Sequence, residues 1–91
     1  MKHNNYFDGK VQSLSLIAEG GNATVGVISP GKYTFSTSSE ERMVITSGTL
    51  KVKIPGKEWL TMKKNNEFTV PAKASFDVEA DADVSYICYY K

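Results

Sequence analysis

Residues 41–54 read ERMVITSGTLKVKI, two short runs of alternating apolar residues joined at Ser47-Gly48. Met43 and Ile45 share one face of the first run, and Leu50, Val52 and Ile54 share one face of the second. A period of two marks a half-buried β-strand, whose side chains point alternately to core and solvent. Gly48 is the break between them, so the stretch predicts two strands hinged there. It leaves two questions: whether the strands form a hairpin, and whether Glu41 at the start of the first one faces somewhere useful.

The same alternation runs through the rest of the chain. Ala23, Val25 and Val27 share a face, as do Phe68 and Val70, Phe76 and Val78, and Tyr86 and Cys88. Turn residues fall at short intervals, at Gly9, Gly20-Gly21, Pro30-Gly31, Pro55-Gly56, Asn65-Asn66 and Pro71. The segments between them are too short for a series of amphipathic helices and suit strands. The pattern predicts strands near 10–18, 22–28, 32–37, 42–47, 49–54, 57–63, 67–70, 75–80 and 84–90. Many short antiparallel strands with tight turns give a sandwich or a barrel. No linker, repeat or low-complexity segment interrupts residues 1–91, so a single domain is expected.

Composition narrows the function. The formal charge is +1, and lysines and acids are spread along the chain instead of clustered. The basic patch of a nucleic-acid or membrane-surface binder is missing. No apolar run approaches the roughly 18 residues a membrane helix needs. Cys88 is the single cysteine and cannot form an internal disulfide, and the opening Met1–Gly9 is polar, without a charged-then-apolar leader. Together these features lead to the expectation of a reducing cytoplasm. A chain of 91 residues has a thin core. Pairing into a homodimer is expected, with the segment around Tyr6-Phe7 as a candidate contact.

Residue counts remove most catalytic constellations. His3 is the only histidine and falls in the polar N-terminal segment, where a frayed surface position is expected. A histidine triad or a multi-histidine metal site is therefore excluded within one chain, and no cofactor is implied. Cys88 sits among aromatic residues in a strand, as a small buried apolar residue would. The glycines are spaced as turns and not as a phosphate-cradling fingerprint. What remains is a pocket built from carboxylates, hydroxyls, a few cations and aromatic rings. If Met43 and Ile45 face inward, Glu41 shares their face and Arg42 takes the other. The plain alternative for this pair is a solvated turn with a weak ion pair. An inward carboxylate at a barrel mouth needs a cation, a hydroxyl or a ligand to offset its lost hydration.

The order of these pieces resembles a degenerate cupin pattern. A turn at Gly31 leads into a strand through Thr37; Glu41 follows and then, after six intervening residues, Gly48; "FTVPAKASF" comes later. The resemblance implies an all-β fold, a cupin-type double-stranded β-helix or jelly-roll barrel. In typical cupins two histidines before the glutamate and a third after the proline region hold a metal. Here Phe35 and Thr37 precede Glu41, and Phe76 or Asp77 follows Pro71, so the metal site is missing on residue identity.

Five segments carry a closer likeness: NYFDGKVQSLSL at 5–16, ATVGVISPGKYTFST at 23–37, MVITSGTLKV at 43–52, FTVPAKASF at 68–76 and SYICYY at 85–90. They resemble the pyrimidine/purine nucleoside phosphorylase family of small bacterial cupins. The resemblance implies homodimers that convert a nucleoside and inorganic phosphate to free base and α-D-ribose 1-phosphate. Such a reaction builds positive charge on the ribose and negative charge on the departing base while phosphate is held nearby. It asks for cations, a carboxylate with hydroxyls, and aromatic faces. Lys73, Lys32 and Arg42 are the phosphate candidates; Glu41, Ser36 and Thr37 suit the ribose; Tyr33, Phe35, Phe76 and Tyr86 offer faces for a base. Thr34 and Tyr90 complete the inventory, and Glu41 and Arg42 are the expected catalytic pair. The rival readings are a non-catalytic small-molecule-binding cupin and a small structural dimer.

Overall fold

The two runs of residues 41–54 are strands, but they do not pair with each other. A computed structural model, which describes residues 1–91, has ten strands: β1 (Lys2–Tyr6), β2 (Val11–Ala18), β3 (Gly21–Ile28), β4 (Gly31–Ser36), β5 (Glu41–Ser47), β6 (Leu50–Lys53), β7 (Leu60–Met62), β8 (Glu67–Val70), β9 (Ser75–Ala80) and β10 (Val84–Tyr90). They form two antiparallel sheets, ordered β1-β2-β3-β10-β5-β8 and β4-β9-β6-β7. β5 lies between β10 and β8, whereas β6 lies between β9 and β7. Gly48 is thus a corner at which the chain changes sheet. Its φ of +91° is a conformation other residues rarely adopt, and an added Cβ would stand 2.7 Å from the Asp83 carbonyl oxygen.

The alternation read from the sequence fills the space between the sheets. Met43 and Ile45 come from one sheet and Leu50, Val52, Phe76 and Val78 from the other. Ile45, Leu50 and Val52 are fully buried. Fully burying one such side chain stabilises the fold by about 1.5–3 kcal/mol, so this seam holds the sheets together.

Three features depart from expectation. The polar segment at the start is not frayed: β1 pairs along its whole length with β2, from Lys2 opposite Ser15 to Tyr6 opposite Val11. Polar side chains reinforce that backbone ladder, Asn4 Nδ2 donating to Ser13 Oγ at 3.2 Å and to Ser15 Oγ at 3.0 Å. His3 Nε2 meets Gln12 Oε1 at 2.9 Å on the exposed side. The strand expected near 57–63 shrinks to Leu60–Met62, because Pro55-Gly56 turns the chain and the Lys57 N–H donates back to the Ile54 carbonyl.

The third departure concerns β3. Ala23, Val25 and Val27 do share a face, but Val25 and Val27 are about half exposed, while Thr24, Gly26 and Ile28 turn inward. Gly26 stands opposite Tyr86 in the ladder, and a Cβ there would lie 2.5 Å from the Tyr86 hydroxyl and 2.8 Å from the Gln12 carbonyl oxygen. The tyrosine ring occupies the room that a side chain at position 26 would take, which fixes the phase of the strand. No helix of the chain is long and apolar enough to cross a membrane.

Candidate functional site

Glu41, Ser36 and Tyr90 stand at the ends of β5, β4 and β10, and here the two sheets part to leave a cavity. Its volume is about 110 Å³, or about 580 Å³ with the open mouth counted. The six-stranded sheet contributes Tyr6, Ser13, Ile28, Glu41, Met43, Tyr86, Cys88 and Tyr90; the other sheet contributes Phe35, Ser36, Phe76 and Val78. Apolar walls with a few convergent polar groups are the common form of a small-molecule site.

Glu41 is the only charged residue of that lining. Strand phase puts it there: it precedes Met43 and Ile45 on the inward face and stands opposite Tyr90 and Val70 in the ladder. The carboxylate is half-buried and has no cation; its one side-chain hydrogen bond comes from the Cys88 thiol, Sγ to Oε1 3.5 Å. Burial pushes its pKa above the usual carboxylate value, and the thiol bond opposes this in part. Burial also pushes the Cys88 thiol up to about 12, with the neighbouring Glu41 charge adding to it. Cys88 is therefore a neutral donor and not a thiolate nucleophile. Tyr86 is likewise pushed up to about 12, first by burial, and Tyr90 is raised for the same first reason. The cavity holds neutral hydroxyls around one carboxylate.

Aromatic rings form the opposing wall. The Phe35 and Phe76 centroids are 5.7 Å apart at 30°, and Tyr6 meets Phe35 edge-on at 6.3 Å. Phe7 supports this wall from outside, 5.5 Å from Phe35 and 5.0 Å from Tyr33. Its φ of 53° is unusual for a bulky residue. The β1–β2 turn thereby folds both aromatic residues against β4.

Among the residues singled out from the sequence, Glu41, Phe35, Ser36, Phe76, Tyr86 and Tyr90 line this cavity. The others lie elsewhere. Arg42 points to the outer face, as its neighbour's inward phase requires; it bridges Glu67 at 3.1 Å and stacks its guanidinium 4.4 Å from the Tyr89 ring centroid. Thr37 is buried, but its hydroxyl donates to the Pro71 carbonyl at 2.7 Å and accepts from the Ala74 N–H at 3.0 Å, tying down the turn between β8 and β9. Lys73 is exposed in that same turn. Tyr33 is buried with its hydroxyl donated to the Ser29 and Pro30 carbonyls. Lys32 is exposed opposite Glu79, and Thr34 donates to Asp77 at 2.7 Å. None of the three cations expected to hold phosphate reaches the cavity.

Sequence reasoning missed Tyr6 and Ser13 as lining residues. Ser13 is phased with Val11, and the exposed Leu14 and Leu16 advertise the opposite face of β2 as the apolar one. Tyr6 carried a usable signal: it directly precedes the Phe7-Asp8-Gly9 turn that folds it back. No group of three or more histidine, cysteine, aspartate or glutamate side chains gathers anywhere in the chain.

Known proteins resemble this chain in sequence and in fold. The sequence profile of a family described as pyrimidine/purine nucleoside phosphorylase matches residues 1–90. A protein of that name from Pseudomonas putida is 43% identical over 89 residues, spanning 97% of this chain and 95% of the relative. Another of the same name from Marinobacter nauticus is 46% identical over 88 residues, spanning 96% and 95%. The crystal structure of a protein of unknown function from Vibrio parahaemolyticus superposes with a TM-score of 0.94 at 38% identity, covering 99% of this chain and 97% of that one. A cupin-like protein from Thermotoga maritima shares the fold, with a TM-score of 0.70 at 21% identity over 86% of this chain and 65% of that one. The chain is a small all-β cupin-like domain, and it belongs to the pyrimidine/purine nucleoside phosphorylase family.

Proposed function

We propose that the chain is a nucleoside phosphorylase and that the cavity around Glu41 is where the nucleoside reacts. Hydrogen phosphate forms a bond from one oxygen to the anomeric carbon as the carbon–nitrogen bond breaks. The electron pair of that bond leaves on the base, which takes up the proton carried by the phosphate. The products are free base and α-D-ribose 1-phosphate.

One observation carries the assignment: the Glu41 carboxylate is half-buried without a cation. Such a group destabilises the resting protein slightly and is kept where it meets a ligand. It can accept hydrogen bonds from ribose hydroxyls and stabilise positive charge growing on the ring. Ser36 lies at the same mouth and adds a hydroxyl. Phe35, Phe76 and Tyr86, with Tyr6, supply faces against which purine and pyrimidine bases both stack, which suits broad base tolerance. Arg42, Thr37, Tyr33 and Lys73 have no part in this cavity, since each is engaged or exposed elsewhere.

The test is direct. Uridine and adenosine are each incubated with phosphate, and free base is measured for the wild type and Glu41→Gln. Removing a preorganised electrostatic group typically costs about 3 kcal/mol, or roughly a hundredfold in rate. A Glu41→Gln protein with full rate on both nucleosides would take Glu41 out of the chemistry. A binding-only cupin is favoured by one observation, that no lysine or arginine lines this cavity. Its signature is nucleoside binding without release of base.

We place the protein in the cytoplasm on its single unpaired cysteine, and as a homodimer. The outer face of the larger sheet supports the dimer better than the Tyr6-Phe7 segment, whose rings are partly taken up against Phe35 and Tyr33. Leu14, Val25 and Ile87 lie side by side across β2, β3 and β10, with Val27 next to them, and Leu14, Val25 and Val27 are each nearly half exposed. A contiguous apolar patch of this kind on a small domain marks an interaction surface, and a second copy satisfies it with two-fold symmetry. Light scattering should report twice the 10.0 kDa chain mass, and Val25→Glu with Val27→Glu should give monomers. A wild-type monomer at micromolar concentration would refute the dimer.

A further inference from the structure

The cavity around Glu41 leaves phosphate without a home. Its only charge is negative, and a phosphate dianion beside a carboxylate is repelled. A second cavity adjoins it. This one is larger, about 590 Å³, and is lined by Lys2 of β1, Ser15 and Ile17 of β2, Asn22 and Thr24 of β3, and Tyr90 of β10, among others. Lys2 and Ser15 stand opposite one another in the β1–β2 ladder, in phase with Asn4, Ser13 and Tyr6, and Leu16 and Ala23 of the alternate phase also line the cavity. The two cavities share Tyr90, whose hydroxyl meets Thr24 Oγ1 at 3.0 Å.

The polar groups here are set to donate. Asn4 Nδ2 donates to both Ser13 Oγ and Ser15 Oγ; Ser13 also meets the Tyr86 hydroxyl, whereas the Ser15 hydroxyl hydrogen is left for another acceptor. Ser13 belongs to the first cavity and Ser15 to the second, and Asn4 links them. Lys2 takes part in neither of the chain's two ion pairs. The third cavity offers a contrast. Its cations, Arg42 and Lys91, are already bridged to Glu67 and Glu40, and Glu40 itself lines it.

We infer that the second cavity is the phosphate subsite, with Lys2 as its cation and Ser15, Asn22 and Thr24 as polar partners. This rests on the phosphorolysis reading and adds the location of the second substrate. The nucleoside sits with its ribose at Glu41, and phosphate enters from the Lys2 side; the two meet at Tyr90. Repulsion from the carboxylate then keeps phosphate in its own compartment until the ribose stands between them.

Two measurements test it. In steady-state phosphorolysis of uridine, Lys2→Gln should raise the KM for phosphate about tenfold, the scale of one charge-assisted contact, with the KM for uridine unchanged. Lys2→Arg should recover most of the loss, and Lys51→Gln, on the other sheet, should behave as wild type. An unchanged phosphate KM in Lys2→Gln would overturn the assignment. Independently, inorganic phosphate is titrated into the labelled protein and amide shifts are followed by NMR. Saturable shifts at Ser15, Asn22 and Thr24 that vanish in Lys2→Gln support the subsite even if no nucleoside is cleaved, which would refute phosphorolysis alone. Shifts confined to the Lys73 turn or the Arg42 face, or none, would refute the subsite.

Discussion

Glu41 and Arg42 are adjacent in one strand and have opposite fates. Arg42 faces outward, bridges Glu67 at 3.1 Å and lies over the Tyr89 ring. Glu41 faces inward, is half-buried, and meets only a thiol at 3.5 Å. A sequence search for charged pairs treats them as one feature; strand alternation splits it into a paired surface charge and an unpaired interior one. The difference separates what a charge does for the fold from what it does for a ligand. A satisfied ion pair needs no substrate to account for it. An unsatisfied carboxylate among neutral hydroxyls does.

The largest effect that sharpens this contrast is the roughly hundredfold loss of phosphorolysis expected for Glu41→Gln. A smaller effect follows from the same residue in the absence of substrate. Burial raises the Glu41 pKa in the folded protein above its unfolded value. Between those values the native state binds more protons than the unfolded state, so stability falls as pH rises through the window and stays lower above it. Gln at this position has no such penalty. Thermal melts at several pH values should give matching midpoints below the ordinary carboxylate range, and a higher midpoint for Glu41→Gln at neutral pH. A variant that melts lower than wild type at neutral pH would mean that the charge is compensated in the resting protein. The contrast with Arg42 would then collapse.

Much of the fold was legible because period-two alternation and turn residues act locally. The runs around Met43, Leu50, Phe68 and Phe76 each declare an inward face on their own. What was not legible depended on partners far along the chain. The apolar face of β3 is the outer one because Gly26 must lie under Tyr86, sixty residues later in sequence. β1 has no apolar alternation; it pairs through its backbone with β2, and Asn4 meets two serines there. The same limits apply to the site. Glu41 and Phe35 could be placed by phase, but that Thr37 and Tyr33 spend their hydroxyls on backbone carbonyls is a tertiary fact. Lys2 was passed over because the segment around it read as a loose end.

The smallest expected effect is at Arg42, and it is the one that can break the comparison. The two side chains of its ion pair are 46% and 58% exposed. Water and salt therefore screen the pair heavily, and an exposed pair of this kind is worth under about 1 kcal/mol. The stacking on Tyr89 is a further contact at the surface, worth about 0.5–1 kcal/mol. Arg42→Gln should lower the melting midpoint only slightly, and a double-mutant cycle with Glu67→Gln should return a coupling energy below about 1 kcal/mol that shrinks as salt is added. Phosphorolysis should stay within about twofold of wild type, because the guanidinium is separated from the cavity by the sheet that carries it. Phosphate KM should be unchanged as well, in contrast to Lys2→Gln. If Arg42→Gln instead loses activity on the scale of Glu41→Gln while its fold and oligomeric state are intact, the outer face takes part in the chemistry. The division between a structural and a functional side of β5 would then be wrong.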